Sequence, residues 1–182
     1  MLKMAIDKEK YRNAILFFAS NAPNLGRVKL NKLLYFLDFD HFEKYSEPVT
    51  GDTYQNNELG PVPMHVEQVI SEMEAERLVE IVVEPVINYV RYRLIPLARY
   101  NSNAFRPSEM EMLGAIVEKW SHHTAKELVI ASHGEAPWVA TRNGEIIPYA
   151  LAYYRGKFEE PSYDEEPRQD LTSVSGSQGS SV

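Results

Sequence analysis

The sequence predicts an α+β fold: a mostly helical single domain with one small antiparallel β-hairpin. Three observations carry that prediction. Towards the N-terminus, apolar residues recur at helical spacing in two successive stretches, as on the buried stripe of a helix. At the centre, Val90, Tyr92 and Leu94 alternate with Arg91 and Arg93, the two-residue period of a strand with one buried face. Beyond it, Ser108 with Glu111 and Thr124 with Glu127 have the spacing of capping boxes, so the chain returns to helix.

The first helix is expected over 8–20, with Asp7 as its N-cap and Tyr11, Ala14, Ile15 and Phe18 as its stripe. Asn21-Ala22-Pro23-Asn24 breaks it. The second, over 28–44, carries Leu30, Leu33, Leu34, Leu37 and His41 on one stripe, with Tyr35, Phe36, Phe39 and Phe42 beside it. An apolar arc that wide is buried on more than one side. The two helices are expected to pack as an antiparallel pair. A long irregular connection, 45–63, follows, with Pro48, Gly51 and Gly60 in it. Connections of that length are uncommon and often functional. The third helix, 63–77, buries Val66, Val69, Ile70 and Met73 and presents Glu67, Glu72, Glu74 and Glu76 outward.

Strands are expected over 78–84 and 89–96, joined by Pro85-Val86-Ile87-Asn88. The helix after Ser108 buries Leu113, Ile116, Val117 and Trp120. The one after Thr124 ends at Gly134, a residue suited to a left-handed C′ position. A last short helix is expected over 148–155.

The chain has 182 residues, 44% of them apolar, enough for one domain over 1–158. The remainder, 159–182, is acidic and then Ser/Gly-rich. It has too little apolar surface to offset the entropy of ordering, so a disordered tail is expected there. A net charge of −7 argues against binding nucleic acid through bulk electrostatics. There is no cysteine, which removes disulfides and thiolate chemistry. No apolar run approaches the ~20 residues that span a bilayer, and the N-terminus lacks a signal peptide's apolar core, so no membrane association and a cytoplasmic location are expected.

Few residues suggest chemistry of their own. His122, His123, Glu127 and His133 lack the paired spacing of a metal site, so no metal and no cofactor is expected. Ser132, His133 and Glu135 resemble a piece of a hydrolase triad without the Gly-x-Ser-x-Gly turn that presents a nucleophile, so no catalytic residue and no enzyme is expected. Asp38, Asp40 and Glu43 read as the solvated side of a helix. Lys29 and Lys32 read equally as partner contacts or as ordinary surface charge. Tyr35, Tyr54 and Trp138 read as core. Arg91 and Arg93, with Arg99 nearby, make a candidate basic wing, yet no helix is basic enough to accompany it into a groove.

One resemblance is specific. Lys29-Leu30-Asn31-Lys32-Leu33-Leu34-Tyr35-Phe36, then Thr50-Gly51-Asp52-Thr53-Tyr54, then Gly60-Pro61-Val62-Pro63, then Arg77-Leu78-Val79, and finally His133 followed by Pro137-Trp138 resemble the Panacea domain, the family of SocA-like antitoxins. Many of its members carry a Trp three residues before the Gly-Pro, where this chain has Asn57. The resemblance implies a non-catalytic antitoxin of a toxin–antitoxin system that binds its cognate toxin protein. It also implies two alternatives: an adaptor delivering a toxin to a ClpXP-type protease, and a DNA-binding transcriptional regulator. The last is disfavoured by the few residues ahead of the matched region, where many members carry a DNA-binding domain. The motif residues Lys29, Leu30, Lys32, Leu33, Tyr35, Tyr54, Gly60, Pro61, Val62, His133, Pro137 and Trp138 are expected to be mostly structural. Lys29, Lys32, Asn57, Arg91 and Arg93 are the candidates for partner contact.

Overall fold

The computed structural model describes residues 5–86 and 89–156. Helix α1 spans Lys8–Asn21, with the Asp7 carboxylate accepting from the Lys10 N–H at 3.0 Å, the expected cap. Helix α2 spans Arg27–Tyr45 and is the axis of the molecule. Leu30, Leu33, Leu34, Tyr35, Phe36, Leu37 and Phe39 are all buried, so the helix is covered on every side, as its apolar arc predicts.

The connection after α2 is not wholly irregular. Strand β1, Tyr54–Gln55, is the middle of a three-stranded antiparallel sheet, between β2, Val62–Pro63, and β5, Ile146–Ile147. Tyr54 pairs with Pro63 on one side and Ile147 on the other. Two residues carry no alternation, which is why the sequence shows only one hairpin. Helix α3, Val66–Ala75, buries Val66, Val69, Ile70 and Met73 as expected. Its glutamates meet the basic face of α1, Lys8 with Glu72 at 3.4 Å and Arg12 with Glu76. Arg77, at φ 57°, turns the chain out of the helix.

Strands β3, Val79–Val86, and β4, Tyr89–Pro96, form the hairpin. Pro85 and Val86 belong to β3 and not to the turn. A proline fits because both strands of a two-stranded sheet are edges. Of the expected turn, Ile87 and Asn88 lie outside the described residues.

A short 3₁₀ turn at Ser102–Ala104 leads to α4, Pro107–Trp120. The expected Ser108–Glu111 box does not form. Pro107 takes the first helical position, for which its fixed φ is suited, and Glu109 accepts from the Arg106 N–H at 2.8 Å. The buried Glu109 carboxylate also pairs with Lys10 of α1 at 2.9 Å. Helix α5, Ala125–His133, has the expected box: Glu127 N–H donates to Thr124 Oγ1 at 3.3 Å, and Thr124 N–H donates to Glu127 Oε2 at 2.7 Å. Gly134 is not left-handed. Its φ is −78°, because the chain turns directly into α6, Ala136–Val139. The last element is a 3₁₀ turn, Tyr149–Tyr154, packed on α2. The expected tail lies outside the described residues. Among those residues no helix is long and apolar enough to cross a membrane.

Candidate functional site

Helix α2 carries a polar residue every third position: Lys29, Lys32, Tyr35, Asp38 and His41. Three residues advance a helix by ~300°, so each side chain leaves the axis about 60° behind the one before it. The polar groups therefore wind around α2, and each meets a different segment of the chain. Lys29 Nζ donates to the carbonyls of Pro23 (2.9 Å) and Ser121 (2.5 Å). Lys32 Nζ donates to Pro61 O at 2.7 Å. Tyr35 OH donates to Glu135 Oε2 at 2.7 Å. Asp38 accepts from Val49 N–H (2.9 Å), Thr50 N–H (2.7 Å), the Thr50 hydroxyl and Tyr54 OH (2.8 Å). His41 contacts Glu47 O through Nδ1 at 2.5 Å and Ser108 Oγ through Nε2 at 3.3 Å.

This geometry corrects three expectations. Lys29 and Lys32 are 5% and 1% exposed, so neither is ordinary surface charge. Each is held under a loop by backbone carbonyls. Asp38, read as solvated, is fully buried, because it supplies acceptors to the amides and hydroxyls of a loop that folds over α2. Asp40 is only partly exposed and pairs with Arg155, which also reaches Glu43 at 3.6 Å and Glu135 at 2.5 Å, with its guanidinium 5.9 Å from the centre of the Tyr35 ring.

The motif pieces converge beside Lys32. Gly60 has φ +89°, a left-handed conformation, and a Cβ there would lie 2.5 Å from Ser132 Oγ and 3.0 Å from Lys32 Nζ. His133 stacks on Trp138, with ring centroids 4.0 Å apart and planes 16° from parallel. Trp138 Nε1 donates to Asn57 O at 3.1 Å. Pro137, Leu30 and Leu33 are buried, and Tyr54 packs edge-on against Tyr35 and Phe39. Val62 sits in β2 as half of the pair with Gln55.

Burial sets the electrostatics. It lowers the Lys32 ammonium from the ordinary lysine range to about 7 and moves Lys29 in the same direction. It raises the Asp38 carboxyl to about 6, against hydrogen bonds from Thr50, Tyr54 and Val49 that favour the carboxylate. His133 is lowered by burial and then by the charge of Lys32. For Arg155, burial works to lower the pKa, but the charges of Glu135 and Asp40 outweigh it and the net direction is up.

The triad fragment is not assembled. Ser132 Oγ donates to Val129 O at 2.9 Å, and Glu135 is taken by Tyr35 and Arg155. Glu127 is committed to its cap, and among the described residues no three metal-ligating side chains gather. The remaining contact candidates separate. Asn57 is exposed and lines a hollow with Trp138 and Val139. Arg91 is exposed and lines a larger cleft with Arg27, Tyr92 and His122. Arg93 is half-buried and paired with Glu84 at 2.9 Å.

Sequence reasoning missed Glu135, Arg155 and Asp52 as network members. Asp52 accepts from Tyr11 OH at 2.8 Å and contacts His65 Nδ1 at 2.6 Å. The signal that was available is the three-residue recurrence of polar side chains along an otherwise apolar helix.

A family model described as antitoxin SocA-like, Panacea domain, matches residues 30–139, from the first turns of α2 to the end of α6. No curated protein and no solved structure matches the chain significantly.

Proposed function

Because the chain belongs to the SocA-like antitoxin family of the Panacea domain, we propose that it is the antitoxin of a toxin–antitoxin pair and neutralises its cognate toxin by direct binding. The family match carries this reading. The architecture supports it. The motif residues are spent on holding loops to α2, which leaves the exposed surface free to vary with the partner. In this reading the toxin meets the exposed surface around Arg91, while Lys29 and Lys32 hold that surface from beneath. A protein partner is favoured over nucleic acid, because half of the expected basic wing, Arg93, is neutralised by Glu84 and α3 presents glutamates.

Co-expression with the product of the neighbouring open reading frame tests the proposal. Growth is rescued, the two proteins co-purify, and the toxin stays abundant. Rescue without association sinks direct binding. Loss of the toxin only where a Clp protease is present turns the reading to a proteolytic adaptor.

A further inference from the structure

The inner face of the hairpin outruns the body it covers. Directly opposed residues of an antiparallel pair share a face. Ile81 with Leu94 lies over the core. Beyond it, on the same face, come Val83 with Tyr92 and then Pro85 with Val90. Val83, Tyr92 and Val90 are 54%, 44% and 50% exposed. An apolar face that points inward yet stays wet is unfinished.

Beneath it lies a cleft of about 710 Å³, between β4, the start of α2 and the link from α4 to α5. Its basic lining comes from Arg27, Lys29 and Arg91, with the imidazoles of His122 and His123 beside them, and no carboxylate is among the described residues that line it. In a chain of net charge −7, such a concentration of basic groups is a local reversal. Arg27 spans both characters. Its guanidinium lies 5.1 Å from the centre of the Tyr92 ring, and its ion pair with Glu67, at 3.2 Å, is largely solvent-exposed and therefore weak. The start of α2 adds to the preference for negative charge, since Gly26 supplies no side-chain cap to its first N–H groups.

We propose that this cleft is the toxin-docking surface, and that it takes an acidic segment of the toxin carrying an apolar or aromatic anchor. The anchor covers Val90 and Tyr92, and the acids face Arg27 and the two histidines. This rests on the antitoxin reading and adds the place and the chemistry of the contact. The other hollow, beside Asn57 and Val139, has Glu58 in its lining and lacks basic residues.

The test uses the full chain and the purified product of the neighbouring gene. Val90→Asp and His122→Glu each place a negative charge where the acidic segment docks, and Val139→Asp does the same in the other hollow. All three positions are exposed, so the melting temperature stays at the wild-type value and reports folding separately. The expected result is at least about tenfold weaker binding for the first two and wild-type binding for the third. A photocrosslinker in place of Tyr92 then marks an acidic segment of the toxin. Unchanged affinity in folded Val90→Asp and His122→Glu overturns the site, as do crosslinks to a basic segment, to this chain's own residues 157–182 or to a second copy. If the wild-type chain binds no toxin, the antitoxin reading fails first and the site falls with it.

Discussion

The Lys32 ammonium lies 2.7 Å from the Pro61 carbonyl, and among the described residues no carboxylate pairs with it. A carbonyl supplies a dipole and not a countercharge, so the cation is held at a cost. That cost falls when the lysine loses its proton.

The sign of the pH dependence follows. The folded pKa of Lys32, about 7, lies below the ordinary 10.5. Between those values the unfolded chain binds more protons, so stability rises with pH. From pH 7 to 9 the gain is about 2 kcal/mol from this group. Lys32→Met, which keeps the bulk and removes the charge, abolishes that part of the rise. Thermal melts of both proteins at pH 7 and 9 measure it. A wild-type rise no larger than the variant's would show that Lys32 is not the source.

Asp38 behaves in the opposite sense. Its folded pKa, about 6, lies above the ordinary 3.8, so between these values the folded state binds more protons and stability falls as pH rises. Below pH 4 and above pH 6 its contribution is flat. Against Asp38→Asn, which cannot titrate, wild-type stability drops by a few kcal/mol between pH 4 and 6.5. Denaturant midpoints across that range give the difference, and a constant gap between the two proteins would contradict it.

Arg155→Ala removes the cation that holds three acidic side chains. Among the described residues Glu135 then keeps only Tyr35, and Asp40 is left facing Glu43. Because Arg155 is nearly buried, the loss is expected at about 3 kcal/mol, within the range for breaking a buried pair. Tyr35→Phe, which removes only one hydroxyl, costs about 1–2 kcal/mol. Urea unfolding ranks the two, and an Arg155→Ala loss no larger than that of Tyr35→Phe would mean that solvent reaches the cluster.

Gly60→Ala is destabilising twice over. The backbone is left-handed, and the new methyl meets Ser132 Oγ and Lys32 Nζ. Adding Ser132→Ala removes the closer contact and leaves the contact with Lys32 and the backbone cost, about 1 kcal/mol. Recovery of part, but not all, of the melting temperature in the double variant is the expected outcome. Complete recovery would assign the whole effect to the collision.

Much of the fold was legible because it rests on short-range pattern. The stripe Tyr11, Ala14, Ile15 and Phe18 and the alternation of β4 are periodicities, and Asp7 and Thr124 cap at fixed offsets. The Ser108–Glu111 box had the right spacing on the wrong pair, because Pro107 claims the helix start. Strands β1, β2 and β5 are too short to show a period. Lys29 and Lys32 read from the sequence equally as partner contacts or surface charge because lysine is rarely fully buried, and their acceptors are carbonyls, which leave no mark in a sequence. Arg155 and Glu135 find Asp40 and Tyr35 across 115 and 100 residues, a pairing that only the fold creates.

Those separations also fix a timetable. Helix α2 is synthesised early, but the residues that finish covering it come last, with Glu135 over Tyr35 and Arg155 over Asp40. At 5–20 residues per second, the ribosome needs roughly 6–23 s to travel from one to the other. Throughout that interval a largely apolar helix has only part of its cover, the condition in which nascent chains recruit chaperones, aggregate or are degraded. The protein thus reaches its finished surface only when its last described turn emerges, and the lag between starting the chain and having a competent binder is written into the order of its contacts.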